Sequence, residues 1–371
     1  MASRVYLMNM RAGFGENSFA KFQKMMKKVG IDDVIRERDQ AAIKLHFGEQ
    51  GTFSYLHPVW IRETVKIIKK LRANPFLTDT SSLYTGGRSY AVSHIETALI
   101  HGFAYACVNA PIIISDGLKG TDGVKVEIHQ NHFKTVSIAS GIYHADSMVV
   151  LTHFKGHMLS GFGGALKNVG MGCADKAGKY KMHLGAIPLI KPELCKGCLL
   201  CLNSCPGRAI SLIKKIPVID HASCIGCGQC FSFCQNGVFK IDWDAVPPAT
   251  IVERMVEFAY GALLNKQGRV CFVNFILNVT PGCDCLPFSD ACIVPDVGIA
   301  ASLDPVALDQ ACVDLVNGQQ GIPNTAMNHG FEPHEDKFLA LYPQVNWQQQ
   351  LEYAQQIGIG MRDYELITVG G

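Results

Sequence analysis

A chain of 371 residues, 48% hydrophobic and 18% charged, has the composition of an ordinary globular protein and the length for two or three domain-sized cores. Its formal net charge of +2 gives no electrostatic reason to expect nucleic acid or an anionic membrane as a partner. The amino terminus MASRVYLMNMRAGFG lacks the apolar core and cleavage site of a secretory leader, and no later stretch approaches the roughly 18 apolar residues of a membrane span, so a soluble, cytoplasmic protein is expected.

In the first half, apolar runs bounded by turn residues alternate with helical periodicities. Residues 5–10, 41–47, 75–79, 111–115 and 147–154 read as strands, and 17–28, 58–72 and 89–101 as the helices between them. That alternation predicts an α/β fold with a largely parallel sheet, whose sites lie at the carboxyl ends of strands. His46, Asp79, Asp116 and His153 fall at or near such ends. Lys44 and His46 alternate with apolar neighbours and share one strand face, while Arg88 follows Gly86 and Gly87. These three are candidates for holding a carboxylate or phosphate, set against the plainer reading of solvated surface residues.

Residues 153–172 read HFKGHMLSGFGGALKNVGMG. His153 and His157 are four apart and are expected on one face. Gly161, Gly163 and Gly164 would let a phosphate or cofactor meet the backbone. Lys167 would supply a cation, or a nucleophile if its pKa is depressed. The plainer alternative is that the glycines serve tight packing. No GxxxxGK[ST] pattern is present, so ATP hydrolysis of that type is not indicated.

Fifteen cysteines in a cytoplasmic chain point to metal binding before disulfides. Cys195, Cys198, Cys201 and Cys205 form C-x2-C-x2-C-x3-C before Pro206, and Cys224, Cys227, Cys230 and Cys234 repeat the spacing, with Gln235 in place of the proline. In bacterial two-cluster ferredoxins the fourth thiolate of each run crosses to the other cluster. By that rule Cys195, Cys198, Cys201 and Cys234 hold one [4Fe-4S] cluster, and Cys224, Cys227, Cys230 and Cys205 the other. Gly197, Gly226 and Gly228 keep the loops slim. A zinc ribbon is the alternative, although zinc sites usually draw on two CxxC pairs. Two clusters make a short electron wire, which implies a redox partner protein at one end.

Beyond the cysteines, 249–265 and 305–317 read as helices and 270–277 and 297–303 as strands, with Asp304 before Pro305 as a helix cap. The predicted organisation is an α/β domain over 1–189, a ferredoxin-like α+β module over 190–242, and a second α/β part over 243–371. Cys283 and Cys285 in PGCDC, with Cys292, form a candidate further metal or redox site. Cys107, Cys173, Cys271 and Cys312 read as small buried hydrophobes. The segment from 319 onward shows no catalytic motif.

HFKGHMLSGFGGALKNVGMGCADKAGK, with AIKLHFGEQGTFSYLHP before it and TPGCDC and IVPDVGIAASLDPVALDQACVDLVN after it, resembles the iron–sulfur proteins of Domain of Unknown Function 362. That resemblance implies clusters and an anaerobic redox setting, with no general reaction attached. A shorter stretch is similar to lactate racemases that carry a nickel-pincer nucleotide. In these, a proton-transferring histidine precedes a glycine segment, a cofactor-bearing lysine follows ten residues after it, and a nickel-binding histidine lies sixteen further on. His157, Lys167 and His183 have those spacings, with Gly163 in place of serine and Ala165 in place of glycine. The resemblance implies a nucleotide-type or nickel-containing cofactor and catalytic roles for His157, Lys167 and His183, with His153 beside them.

Three functions follow as expectations. The first is an anaerobic oxidoreductase passing electrons through the clusters to an anionic small-molecule ligand in an α/β cleft. The second is a racemase or isomerase with clusters for activation, and the third a pure electron carrier whose α/β part docks partners.

Overall fold

The structure is a computed structural model that describes residues 2–84, 86–183, 189–220, 222–224, 230, 234, 236–240 and 246–370. The expectations for Cys227, Gly226, Gly228 and Gln235 lie outside the described residues. The fold is mixed α/β, centred on one eight-stranded sheet.

Its strands in chain order are β1 (Ser3–Asn9), β2 (Gln40–Lys44), β3 (Asn74–Asp79), β4 (Ile112–Ile114), β5 (Ser147–His153), β6 (Val270–Ile276), β7 (Gly298–Ser302) and β8 (Tyr364–Thr368). Across the sheet they lie in the order β8-β1-β7-β6-β5-β2-β3-β4. Every neighbouring pair is parallel except the two made by β7, which runs against β1 and β6. Thus β6, from beyond the cysteine runs, pairs directly with β5, from before them, with Phe275 opposite His153. Both strands are buried along their whole length, as a central parallel strand covered on both faces must be.

The helices that matter to the site are α1 (Ser18–Val29), α2 (Pro58–Lys70), α3 (Ala91–Ile100), α4 (Ala165–Gly170), α5 (Lys176–His183), α6 (Pro248–Leu263), α7 (Pro305–Asn317) and α8 (Gln348–Gln356). One core, on the face carrying Phe22, Trp60, Ile61 and Phe103, packs α1 and α2 on the sheet. The other, carrying Phe162, Phe258, Val313 and Leu351, packs α4, α6, α7 and α8 on the opposite face. Asp304 caps α7 by accepting from the Val306 and Ala307 N–H groups, with Pro305 as the first helical residue.

Two glycines of the quoted segment are packing residues. At Gly161, φ is +76°, and an added Cβ would lie 2.4 Å from Trp347 Cβ. At Gly164 it would lie 2.3 Å from Asp309 Oδ1, the carboxylate that accepts from the Ala165 and Leu166 N–H groups at the start of α4. The expectation of ligand contact is therefore corrected for Gly161, which seats the hairpin on Trp347. Gly161→Ala is expected to destabilise the fold by about 1–3 kcal/mol, through left-handed strain and overpacking, as a lowered urea midpoint at unchanged slope.

The cysteine module carries two small antiparallel ladders, Ile210–Ile213 with Ile216–Ile219 and Leu189–Ile190 with Phe239–Lys240. Its core is Ala209, Ile219, Val238 and Phe239, with Cys195, Cys201, Cys205, Cys230 and Cys234 packed against it. No described helix is long and apolar enough to cross a membrane.

Candidate active site

Parallel strands deliver their carboxyl ends to one side of the sheet, and there β2, β3 and β5 open onto a cavity of about 660 Å³. Lys44 is the last residue of β2, Asp79 of β3 and His153 of β5. The hairpin formed by Lys155–His157 and Gly161–Gly163 supplies one wall, α4 brings Lys167, α5 brings Lys179 and His183, and the loop after β6 brings Cys283 and Cys285. The lining holds five cationic side chains, Lys44, Arg88, Lys155, Lys167 and Lys179, against two carboxylates, Glu49 and Asp79. The cavity is therefore electropositive and matched to an anion.

The carboxylates are already engaged. Asp79 accepts from Lys44 at 3.0 Å and from Arg88 at 3.4 Å, and Glu49 lies 3.4 Å from the Arg88 guanidinium. Burial alone would raise the Asp79 pKa, but Lys44, His94, His46 and Arg88 together hold it far below the carboxylate range. Lys44 and Arg88 are 1% and 4% exposed, which corrects the solvated-surface reading of both. His46 also lines the cavity; burial, then Arg88, keeps its imidazole neutral. Asp116, hydrogen-bonded to Ser81, is buried behind the lining.

Behind the cysteines, Asp284 forms a second anchored centre. It accepts from His153 Nδ1 at 2.9 Å, from Ser54 Oγ at 3.0 Å, and faces Lys155 Nζ at 3.3 Å. His153 Nε2 meets the Asn278 carbonyl at 2.9 Å, so both its ring nitrogens are occupied and it positions the loop rather than facing a ligand with a free nitrogen. With Asp284 held behind by these partners, Cys283 and Cys285 both line the cavity.

The Cys283 thiol is pushed well below its ordinary range. A hydrogen bond from Cys285 lowers its pKa most; Lys167, at 3.4 Å, and His157 add to that against the cost of burial. Cys285, the donor, is pushed up by the same bond. Burial works against the Lys167 ammonium, but the two sulfurs outweigh it and raise its pKa, which favours the cation over the nucleophile. His157 and His183 line the same cavity, each lowered to about 4 by burial and by Lys167, with His157 adding to the effect on His183. Both are neutral bases at neutral pH. Thus His157, Lys167 and His183 converge on one space; Gly163 faces it near Lys155 and Lys167, whereas Cys292 does not join Cys283 and Cys285. Cys173, Cys271 and Cys312 are buried, but Cys107 is exposed, contrary to expectation.

In the module, Cys195, Cys198, Cys201 and Cys234 ring a single gap closed by Leu212, Pro217, Val238 and Phe239. Three of them come from the first run and one from the second, the crossed set. Tetrahedral zinc with bonds of about 2.3 Å needs sulfurs about 3.8 Å apart. Among the described residues only His157, Cys283 and Cys285 bring three donors within 4.8 Å of one another. Cys205 Sγ accepts from the Ala209 N–H and Cys234 Sγ from the Val238 N–H, each at 3.3 Å, so the repeat extends from the spacing to the backbone bonds. Cys224 and Cys230 lie near enough to Tyr180 on α5 to add to the burial that raises its phenol pKa.

The sequence matches the domain of unknown function DUF362 over residues 41–314, well over half of the chain. The chain belongs to the DUF362 family. No curated protein matches it. Among solved structures, the lactate racemase apoprotein from Thermoanaerobacterium thermosaccharolyticum is similar at a TM-score of 0.38 and 11% identity, over 74% of this chain and 51% of that one. The chain thus spans about half that racemase's length, and a likeness this remote assigns no activity. In this DUF362 protein sequence reasoning missed Glu49, Lys155, Lys179 and Tyr342 on the cavity. Lys155 and Lys179 had a legible signal, the first lying between His153 and His157 and the second four residues before His183, but nothing in the sequence ties Tyr342 to the site.

Proposed function

We propose that this enzyme-like α/β protein is an iron–sulfur oxidoreductase in which two [4Fe-4S] clusters exchange electrons with an anionic small molecule in the cation-lined cavity. One observation carries the reading: Cys224 and Cys230 lie near enough to act electrostatically on Tyr180 of α5, the helix whose Lys179 and His183 line that cavity. Clusters held by the two crossed thiolate sets supply one-electron transfer at low potential. The chain's residues do the rest. Lys167, Lys155 and Lys179 draw in and orient the anion, while Asp79 and Asp284 hold their cationic partners still. His157 and His183, neutral at rest, take up or return a proton as the charge on the ligand changes. The Ile251, Val252 and Met255 side chains of α6 close the apolar side and exclude water. A partner protein would fill the outer end of the wire at the module.

The test is the anaerobic reoxidation of dithionite-reduced protein by a panel of small carboxylates and phosphorylated compounds. A reactive compound should lose at least tenfold in rate with Lys167→Ala while iron content stays unchanged. Equal rates in the variant would mean that electrons bypass the cavity and would leave a pure carrier.

A second reading is favoured by one specific arrangement, two neutral imidazoles sharing a cavity with Lys167. Paired bases of this kind suit racemisation by proton removal and return, with a nickel-containing nucleotide on the lysine. Nickel in the purified protein and solvent-deuterium incorporation without net redox would distinguish it.

A further inference from the structure

We propose that Cys283, Cys285 and His157 form a binding site for one thiophilic divalent cation of the zinc class, with a fourth coordination position open to the cavity. The proposal deepens the reading above, since it supplies the point at which the anionic ligand would dock and, with His157 on the ion, leaves the proton transfer to His183; it stands on the arrangement of three residues from two distant parts of the chain.

The donor atoms all lie within 4.8 Å of one another, closer than any other such group among the described residues. Two thiolates and an imidazole are the three-ligand set of open zinc sites, which leave the remaining tetrahedral position to water or substrate. An ion that displaces the remaining Cys285 proton would leave two thiolates to neutralise its charge, in a lining already rich in cations.

The donors are held in place before any ion arrives. The Gly156 N–H donates to the Thr280 carbonyl at 2.9 Å, and an added Cβ at Gly156 would lie 2.2 Å from the Pro281 carbonyl oxygen, so the His157 strand is pressed against the cysteine loop. Asp284 fixes the loop from behind through His153, Lys155 and Ser54, and its own carbonyl accepts from the Glu49 N–H at 2.8 Å. Ser160 Oγ gives its proton to the Phe162 carbonyl at 2.7 Å and lies 3.0 Å from His157 Nδ1. The Leu159 N–H donates to the same Nδ1 at 3.3 Å, so that nitrogen is engaged by the chain and the other ring nitrogen is the one left for an ion, which would displace its proton. A hydroxyl orienting the far nitrogen and a lysine N–H on one sulfur are outer-shell contacts of the kind that tune metal ligands.

The test uses the full-length protein with its clusters assembled anaerobically, stripped of loosely held metal, then given Zn²⁺ and desalted. About one zinc per chain is expected, and the zinc-edge X-ray absorption should show two sulfurs at about 2.3 Å and nitrogen or oxygen at about 2.0–2.1 Å. Cys283→Ser and His157→Gln should each lower zinc retention at least tenfold, whereas Cys292→Ser should retain it. Unchanged iron and sulfide contents in each variant show that it has folded, and they report on the cluster reading separately. Zinc in an all-sulfur shell, equal retention by Cys283→Ser, no zinc in the wild type, or a Cys283–Cys285 disulfide seen as a loss of about 2 Da would each overturn the site.

Discussion

Cys234→Ala should strip the iron from the first cysteine run, 30 or more residues upstream, and spare its own. The expected change is from about eight irons per chain to about four. The reason is geometric: Cys234 closes the ring of Cys195, Cys198 and Cys201, and its sulfur is held there by the Val238 N–H. Cys198→Ala should therefore leave the same residual spectrum as Cys234→Ala, and the double variant should be no worse than either single one. Cys205→Ala and Cys224→Ala should share the other spectrum. If instead Cys234→Ala matched Cys224→Ala, each run would serve its own group and the crossing would be wrong.

The largest effect on stability is expected at Asp284, which is 1% exposed. Its carboxylate balances His153 and Lys155, which are themselves 4% and 5% exposed. Removing one partner of a buried charge set leaves the others uncompensated, at about 3–5 kcal/mol. Asp284→Ala should lower the urea midpoint accordingly, and a loss under about 1 kcal/mol would contradict the assignment. The pH dependence has a definite sign. Burial would raise the Asp284 pKa, but His153 and Lys155 hold it far below the ordinary value of about 3.9. Its contribution is thus present above that ordinary value and lost as the pH falls through the depressed one. Wild type should lose stability on acidification more steeply than Asp284→Ala.

The parts of this molecule legible in the sequence are those written in local periodicity. The seven strands read from apolar runs all join the main sheet, and the 29-residue spacing of the cysteines carries the crossed ring. The main-sheet strand absent from that reading, β8, lies at the sheet edge, pairs only with β1, and is largely exposed, with charged Glu365 interrupting it, so it offers no apolar run. Other misses share one cause. Gly161 and Gly163 look alike in sequence, yet one meets Trp347 and the other the cavity lysines, because the neighbour that decides a glycine's role is set by tertiary packing. Likewise, nothing local distinguishes Cys292, which stays apart, from His157, which joins Cys283 and Cys285 only when β5 and β6 pair. For Lys44 and Arg88 the sequence leaves an anion site and a solvated surface both open, because charge usually marks surface, and Asp79 is what makes their burial tolerable.

The most direct test of the central claim is the electron paramagnetic resonance spectrum of anaerobically prepared, dithionite-reduced protein. Two [4Fe-4S] clusters in crossed runs sit close together, so the account predicts about two spins per chain with the broadening of mutually coupled centres. Lys167→Ala should leave that signal intact, since it acts in the cavity and not in the wire. A spectrum without spins from protein that carries zinc in both cysteine runs, or a single uncoupled centre with about four irons per chain, would contradict it.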